Sequence, residues 1–249
     1  MAANPWAAQY SDRLREAFRN ASWLHLELVP YIHSYDFRAY ETGEPILRHT
    51  SLKNESFTLG EELFVSFVTQ KGLTMTDVHL PEGTWVDFWD ETRTFVGPTD
   101  IRYPVPLGHE PVFVRAGAII PMNVSRSYTG HGTPESKGSL TVLVYPSGDS
   151  SFELHDEQAQ LWRLFRAHLV GDTLTLEGPS LPSILYRVAR QTQRPRRVSR
   201  CGARISVNDA STGVEMPELS SEAAVNGSVG SGWYYDPSHQ RLIVKQVVP

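Results

Sequence analysis

The chain has 249 residues, a formal net charge of −5, 20% charged residues and one cysteine, Cys201. A chain of this length buries roughly 70–75% of its unfolded surface, so disulfides are not needed for a core, and Cys201 has no internal partner. The mildly acidic balance argues against nucleic acid or a membrane surface as the main partner, and no apolar run approaches the ~20 residues a membrane span needs.

The opening stretch MAANPWAAQYSDRLR lacks the charged-then-apolar order of a secretory signal. Four of the six asparagines, Asn20, Asn54, Asn123 and Asn226, sit in N-x-S sequons, which favours a secretory localisation. Residues 11–42 carry the one long helical pattern, with Leu14, Phe18, Ala21 and Trp23-Leu24 recurring at helical spacing and Leu28, Tyr31, Ile32 and Tyr35 continuing it. Pro30 predicts a kink, or two helices with the proline in the first turn of the second, and Gly43 a stop. Pro45–Arg48 then reads as one short buried strand.

From residue 57 the pattern becomes strands separated by turns: 62–68, 77–80, 84–89, 101–105 and the pair within 111–121. In PVFVRAGAIIP two apolar runs meet at Ala116-Gly117, a strand, a sharp corner and a second strand, placed deep in a sandwich or where one domain packs on another. Residues 122–138 are polar and glycine-rich, which predicts a linker. A second strand series follows at 139–145, 151–155, 161–169, 173–177, 184–189 and 198–201. Residues 208–232, rich in Ser, Gly, Ala and Glu, read as a long mobile surface loop. Trp233–Tyr235 and 242–247 close the chain as a hairpin. The fold class is therefore mainly β, an N-terminal helical hairpin followed by two antiparallel β-sandwich domains. The expected boundaries are 1–50 for the helical hairpin and one strand, 51–122 for a proximal sandwich, 123–138 for a linker and 139–249 for a distal sandwich.

No constellation assembles a catalytic site. Asp87, Asp90 and Glu91 alternate with Trp85 and Trp89, which suggests a sugar platform but equally describes a hairpin whose aromatics cover a core edge. His155-Asp156-Glu157 offers an acid/base or metal pair, yet it lies where polar turn residues are expected. The nine histidines show no HxH or HxxxH spacing, and one cysteine excludes a zinc–thiolate cluster, so neither metal nor cofactor is expected. No G-x-S-x-G elbow, phosphate loop or dinucleotide fingerprint occurs. The arginine run Arg194, Arg196, Arg197, Arg200 and Arg204 is either a phosphate patch or a solvated strand face partnering the acidic Glu215, Glu218 and Glu222. Cys201, beside Arg200 and Arg204, is either an activated thiol or a quiet strand cysteine.

Read together, LVPYIHSYDFRAYETGEPILR, NESFTLGEELFVSFVTQKG, VHLPEGTWVDFWD with PVFVRAGAIIPM, and LTVLVYPSGDSSFELHDEQ resemble the C-terminal part of glycoside hydrolase family 31, the α-glucosidases and α-xylosidases, over residues 10–190. Ser66-Phe67 and Arg48-His49-Thr50 depart from that pattern, and no residue corresponds to either catalytic aspartate of the family. The resemblance implies two β-domains that buttress a barrel, with 11–50 completing its last βα piece, and an inactive chain when alone. It thus implies a protein partner or further segment that carries the barrel and contacts the 11–42 helices, with an exposed apolar patch around Trp23, Leu24 and Tyr31. A carbohydrate-binding or interaction module is the alternative, with Trp85, Trp89, Trp233 and Tyr235, and also Trp162, as stacking surfaces and oligosaccharide as ligand. An independent enzyme using Asp87 or Asp156 would need two facing carboxyls about 5–9 Å apart.

Overall fold

The computed structural model describes residues 11–50, 55–124, 131–136, 140–209 and 213–248. Helix α1 (Asp12–Glu27) starts at Ser11, whose side chain accepts the Leu14 N–H at 3.3 Å, a cap that satisfies one orphan donor. Leu28 ends α1 and begins α2 (Val29–Thr42). Pro30 sits in the first turn of α2, where a backbone N–H would have no intrahelical partner, so the expected break is realised as two helices. Gly43 closes α2, its N–H bonded to the Ala39 carbonyl at 2.8 Å.

Strands β1 (Leu47–His49), β2 (Ser56–Leu59), β3 (Leu63–Ser66), β4 (Met75–Asp87), β5 (Thr94–Pro104) and β6 (Val112–Arg115) form an antiparallel sheet in the order β1-β2-β3-β6-β4-β5. The two short strands expected at 77–80 and 84–89 are one long β4, bent by a bulge between Leu80 and Gly83 where Pro81 lacks a ladder N–H. The bend returns the outer half of the hairpin over the sheet, so Val78, Leu80 and Tyr103 close on Phe64, Trp85 and Phe113. One sheet supplies both walls of this small core.

Strands β7 (Ile119–Met122), β8 (Leu140–Val144), β9 (Asp149–Asp156), β10 (Leu161–Val170), β11 (Thr173–Glu177), β12 (Ser183–Val188), β13 (Val198–Cys201), β14 (Arg204–Val207) and β15 (Val214–Glu215) precede helix α3 (Glu222–Gly227), and β16 (Gly232–Asp236) and β17 (Arg241–Val247) follow it. They build a second sheet, β16-β17-β12-β8-β7, and a third, β15-β13-β14-β11-β10-β9. All pairs are antiparallel except β8 with β12. The two sheets enclose the main core, which includes Val142, Val144, Phe165, Leu176, Tyr186, Val207 and Val244.

The corner at 116–117 is where the chain changes sheets. Ala116 N–H still bonds Thr84 of the first sheet at 2.8 Å, while the Gly117 N–H bonds Tyr145 beside the second at 2.7 Å. Gly117 has φ 93°, a conformation side-chain-bearing residues resist, so the reversal is specific to glycine. Strand β7 therefore pairs with β8, and the passage between the units lies at Gly117, ahead of 123–138. The described part of that expected linker is packed rather than free: His131 and Ser136 are buried. Likewise 208–232 is not simply a mobile loop. It contains β15 and α3, and Val225 docks in a small core with Leu185 and Ile243, because Ser221 caps a short helix that turns one apolar residue inward. Residues 210–212 lie outside the described set.

Candidate docking site

Helix α2 is held by the chain's own strands. Tyr31 is fully buried, its hydroxyl 2.7 Å from both the Leu59 carbonyl and the Glu62 carboxylate, and the Tyr35 hydroxyl donates to the same carboxylate oxygen at 2.7 Å. Burial pushes the Glu62 carboxyl up, against the hydrogen bonds of the two phenols. A Cβ on Gly60 would fall 2.2 Å from the Tyr31 hydroxyl, so only glycine lets the β2–β3 turn approach this closely. On the other side, Ser34 Oγ accepts the His155 backbone N–H at 3.0 Å, satisfying a donor of the edge strand β9. The His155 ring stacks on Phe37 at 3.8 Å, with Trp162 edge-on.

Helix α1 is different. Glu27 is its one buried residue, Phe18 and Leu26 are 48% and 52% exposed, and Val29, which opens α2, continues the exposed side at 43%. Between α1 and the first sheet lies a groove of about 250 Å3 lined by Leu24, Leu28, Ile32, Leu59, Val65 and Trp89, among others. Trp89 stacks on His109 (centroids 4.4 Å apart, planes within 5°) and donates its indole N–H to the Glu110 carbonyl at 2.7 Å. Burial raises the Glu110 carboxyl at the rim. The apolar surface continues past the groove, because Leu47 pairs with Leu59 and Phe57 with Val65 across the strands, and Phe57 packs on the exposed Phe67 at 5.1 Å. Leu47 is itself exposed.

The expected apolar patch is thus present but displaced. Leu24 lines the groove and Trp23 is half-buried, whereas Tyr31 is internal, because its hydroxyl finds Glu62 and Leu59 inside the chain.

The residues singled out for sugar stacking are not brought together. Trp85 is buried, its indole N–H donating to the Pro81 carbonyl at 3.0 Å, and Trp233 is buried with its N–H on the Met216 carbonyl at 3.0 Å. Neither ring offers a face to a ligand; both fill core positions. Trp89 and Tyr235 are half-buried in different sheet units, with the Tyr235 hydroxyl donating to the Gln191 carbonyl at 2.8 Å. Asp87 is buried and accepts from Tyr103, Arg93 and the Trp89 N–H, so it organises the hairpin end. Asp156 accepts the N–H groups of Gln158 and Ala159 and pairs with Arg163 in a turn. Those bonds hold its carboxyl below the usual range. Among the described residues no group of three His, Cys, Asp or Glu side chains converges as a metal site.

The arginine run follows the plainer reading in part: Arg194 pairs with Glu218 and Arg197 with Glu215 of the acidic segment, whereas Arg196 pairs with Asp172, Arg204 with Glu177, and Glu222 with Arg187. Of the sequons, Asn226 is buried with its amide donating to Thr133, Asn123 is exposed, and Asn54 lies outside the described residues. Sequence reasoning missed the groove, whose lining comes from segments up to 90 residues apart, and the buried arginines Arg187 and Arg241. An arginine inside an otherwise apolar strand, as in Ile184–Ala189, was the available signal for the latter.

Residues 35–120 match the family model described as the glycosyl hydrolase family 31 C-terminal domain. The chain is 28% identical over 262 aligned residues to an isomaltosyltransferase of Sporosarcina globispora, covering 97% of this chain and 23% of that protein. It is 29% identical over 166 residues to human neutral α-glucosidase C, covering 61% of this chain and 18% of that one. Among solved structures, the cycloalternan-forming enzyme of Listeria monocytogenes in complex with a pentasaccharide substrate superposes with a TM-score of 0.84 at 24% identity, over 99% of this chain and 24% of that one. A family 31 dextranase of Flavobacterium johnsoniae gives 0.78 at 20% identity, over 99% and 33%. These superpositions show the shared fold. The chain spans about a fifth to a quarter of the length of the curated relatives it matches.

Proposed function

We propose, for a chain that carries the non-catalytic C-terminal region of glycosyl hydrolase family 31, that its helical face buttresses or completes a catalytic barrel supplied by another chain or a further segment. The observation that carries this reading is the uncovered side of α1 together with the apolar groove beneath it. Leu26 on α1 and Val29 at the start of α2 are exposed beside the groove, and the strip through Leu47 and Phe67 extends the same surface. On this reading hydrolysis would come from the barrel.

The test has two arms. The full chain alone, assayed against α-glucosides and α-xylosides, is expected to be inactive. A tagged chain recovered from its native extract is expected to hold, in stoichiometric amount, a polypeptide identified by mass and sequence as carrying the barrel, with activity in that complex. The Phe18→Asp/Leu26→Asp variant is expected to lose the partner while keeping the β-sheet circular dichroism signal. Hydrolysis by the lone chain, or retention of the partner by the doubly charged variant, overturns the proposal.

A second reading, glycan contact, is favoured by one surface: half-buried Trp162 and Phe37 beside Tyr40, which is 86% exposed. Calorimetric titration with α-glucan oligosaccharides is expected to show heat that Trp162→Ala abolishes, and an equal signal from both proteins removes this reading.

A further inference from the structure

The end of the β4–β5 hairpin buries a charge against the second sheet. Glu91 is nearly inaccessible, with Oε1 3.1 Å from the Tyr145 hydroxyl and Oε2 2.6 Å from both Nε and Nη2 of Arg241. Arg241 opens β17 and Tyr145 follows β8, so a carboxylate of the first sheet unit neutralises a guanidinium of the second. On β12, Arg187 is fully buried and ion-paired with Glu222 of α3. His131 completes the cluster. It is buried against Phe88 (centroids 4.4 Å), and among the described residues neither ring nitrogen has a hydrogen-bond partner.

We propose that Glu91, Arg241 and His131 form an acid-sensitive latch that locks the first sheet unit onto the second. The charges that act on His131 are Arg187 on β12 and Arg241 on β17, and these arginines in turn face Glu91 from the hairpin and Glu222 on α3, with Tyr145 after β8 beside Arg241 and Glu91. Lys245, further along β17, spends its charge on the carbonyls of Asn226 and Ser228. A proton on His131 would add a third positive charge to two buried arginines served by two carboxylates. Burial first, then the charges of Arg187 and Arg241, hold the imidazole well below its usual 6.5. The sign follows: the folded state refuses a proton the unfolded chain accepts, so stability is complete above about pH 6.5 and is lost as pH falls below it. Removing Glu91 alone would strand Arg241, the costly way to break a buried pair; replacing both partners by apolar residues would not. The latch is internal to this chain and does not depend on the barrel reading, since it is tested without any partner.

The experiment is urea unfolding of the full chain at pH 7.5, 6.5 and 5.5, with hydrogen exchange of the β6 and β17 amides read in parallel. The wild-type chain is expected to open β6 and β17 together, with an unfolding constant about fivefold higher at pH 5.5 than at 6.5 for one such histidine. His131→Phe is expected to lose that fivefold difference. Glu91→Leu is expected to separate the exchange of β6 from that of β17, and Glu91→Leu/Arg241→Met to bring them together again. If Glu91→Leu does not fold, recovery of the fold in the double variant supports the latch, and failure of both overturns it. An unchanged pH ratio in His131→Phe, or coincident exchange in Glu91→Leu, also overturns it.

Discussion

Helices α1 and α2 are separated by a single residue and share the same apolar periodicity, yet among the described residues α2 is covered and α1 is largely exposed. The difference lies in polar complementarity more than in hydrophobicity. Each inward-facing side chain of α2 brings a group that its own strands satisfy: Tyr31 and Tyr35 share Glu62, and Ser34 caps the edge of β9. Helix α1 faces the first sheet across a groove that is not filled, lined from its side by Asn20, Ala21, Leu24 and His25. A stripe of apolar residues therefore says that a face will be buried, while the partner groups decide which one is buried by this chain.

Substitutions that break the contrast should differ steeply between the helices. Tyr31→Ala is expected to be the most damaging, lowering unfolding free energy by ~3–5 kcal/mol, since it empties a fully buried aromatic site and removes one of the two phenol donors to Glu62. Phe18→Ala, of similar bulk but on the open face, should cost no more than about 0.5 kcal/mol in the same denaturant titration. Equal losses in the two variants would mean that α1 is covered in solution, and the contrast would fail. Ser34→Ala should cost about 1–3 kcal/mol by leaving the His155 N–H without its acceptor, with faster exchange at that amide as the local readout. Ser11→Ala should remove about 1 kcal/mol from the α1 terminus, visible as lost helical signal with little change in the global midpoint, because α1 is not part of the main core.

Glu62 sharpens the contrast through pH. Its folded value is raised above the usual 4.5, so its contribution is most favourable below pH 4.5 and declines as pH rises through the folded value. Comparing Glu62→Gln with the parent across pH 4–7 should show the variant gaining relative stability as pH rises. A pH-independent difference would contradict the buried-carboxylate assignment.

The Pro30 break and the Gly43 stop were legible because each is written within a few residues, as fixed φ or freedom at a left-handed position. The four segments that resemble family 31 were legible for the same reason: order and spacing survive at the level of short motifs. What failed was assignment by local composition. The polar 131–136 stretch and the small-residue 222–227 stretch look like loops, yet they carry His131, Ser136 and Val225 into the interior. Trp85 and Trp233 look like stacking platforms, yet backbone carbonyls at Pro81 and Met216 take their indole N–H groups inside the core.

The sequence by itself determined the two helices and most of the strands, since these depend on neighbours in the chain. Only the tertiary structure decided that β7 leaves its sequence neighbour β6 for another sheet, that α1 remains open while α2 is enclosed, and that Glu91 meets Arg241 across 150 residues. Pairing, burial and charge compensation are properties of groups distant in the chain. No local pattern records which distant group will arrive, because the free energy of each choice is set by the partner as much as by the residue.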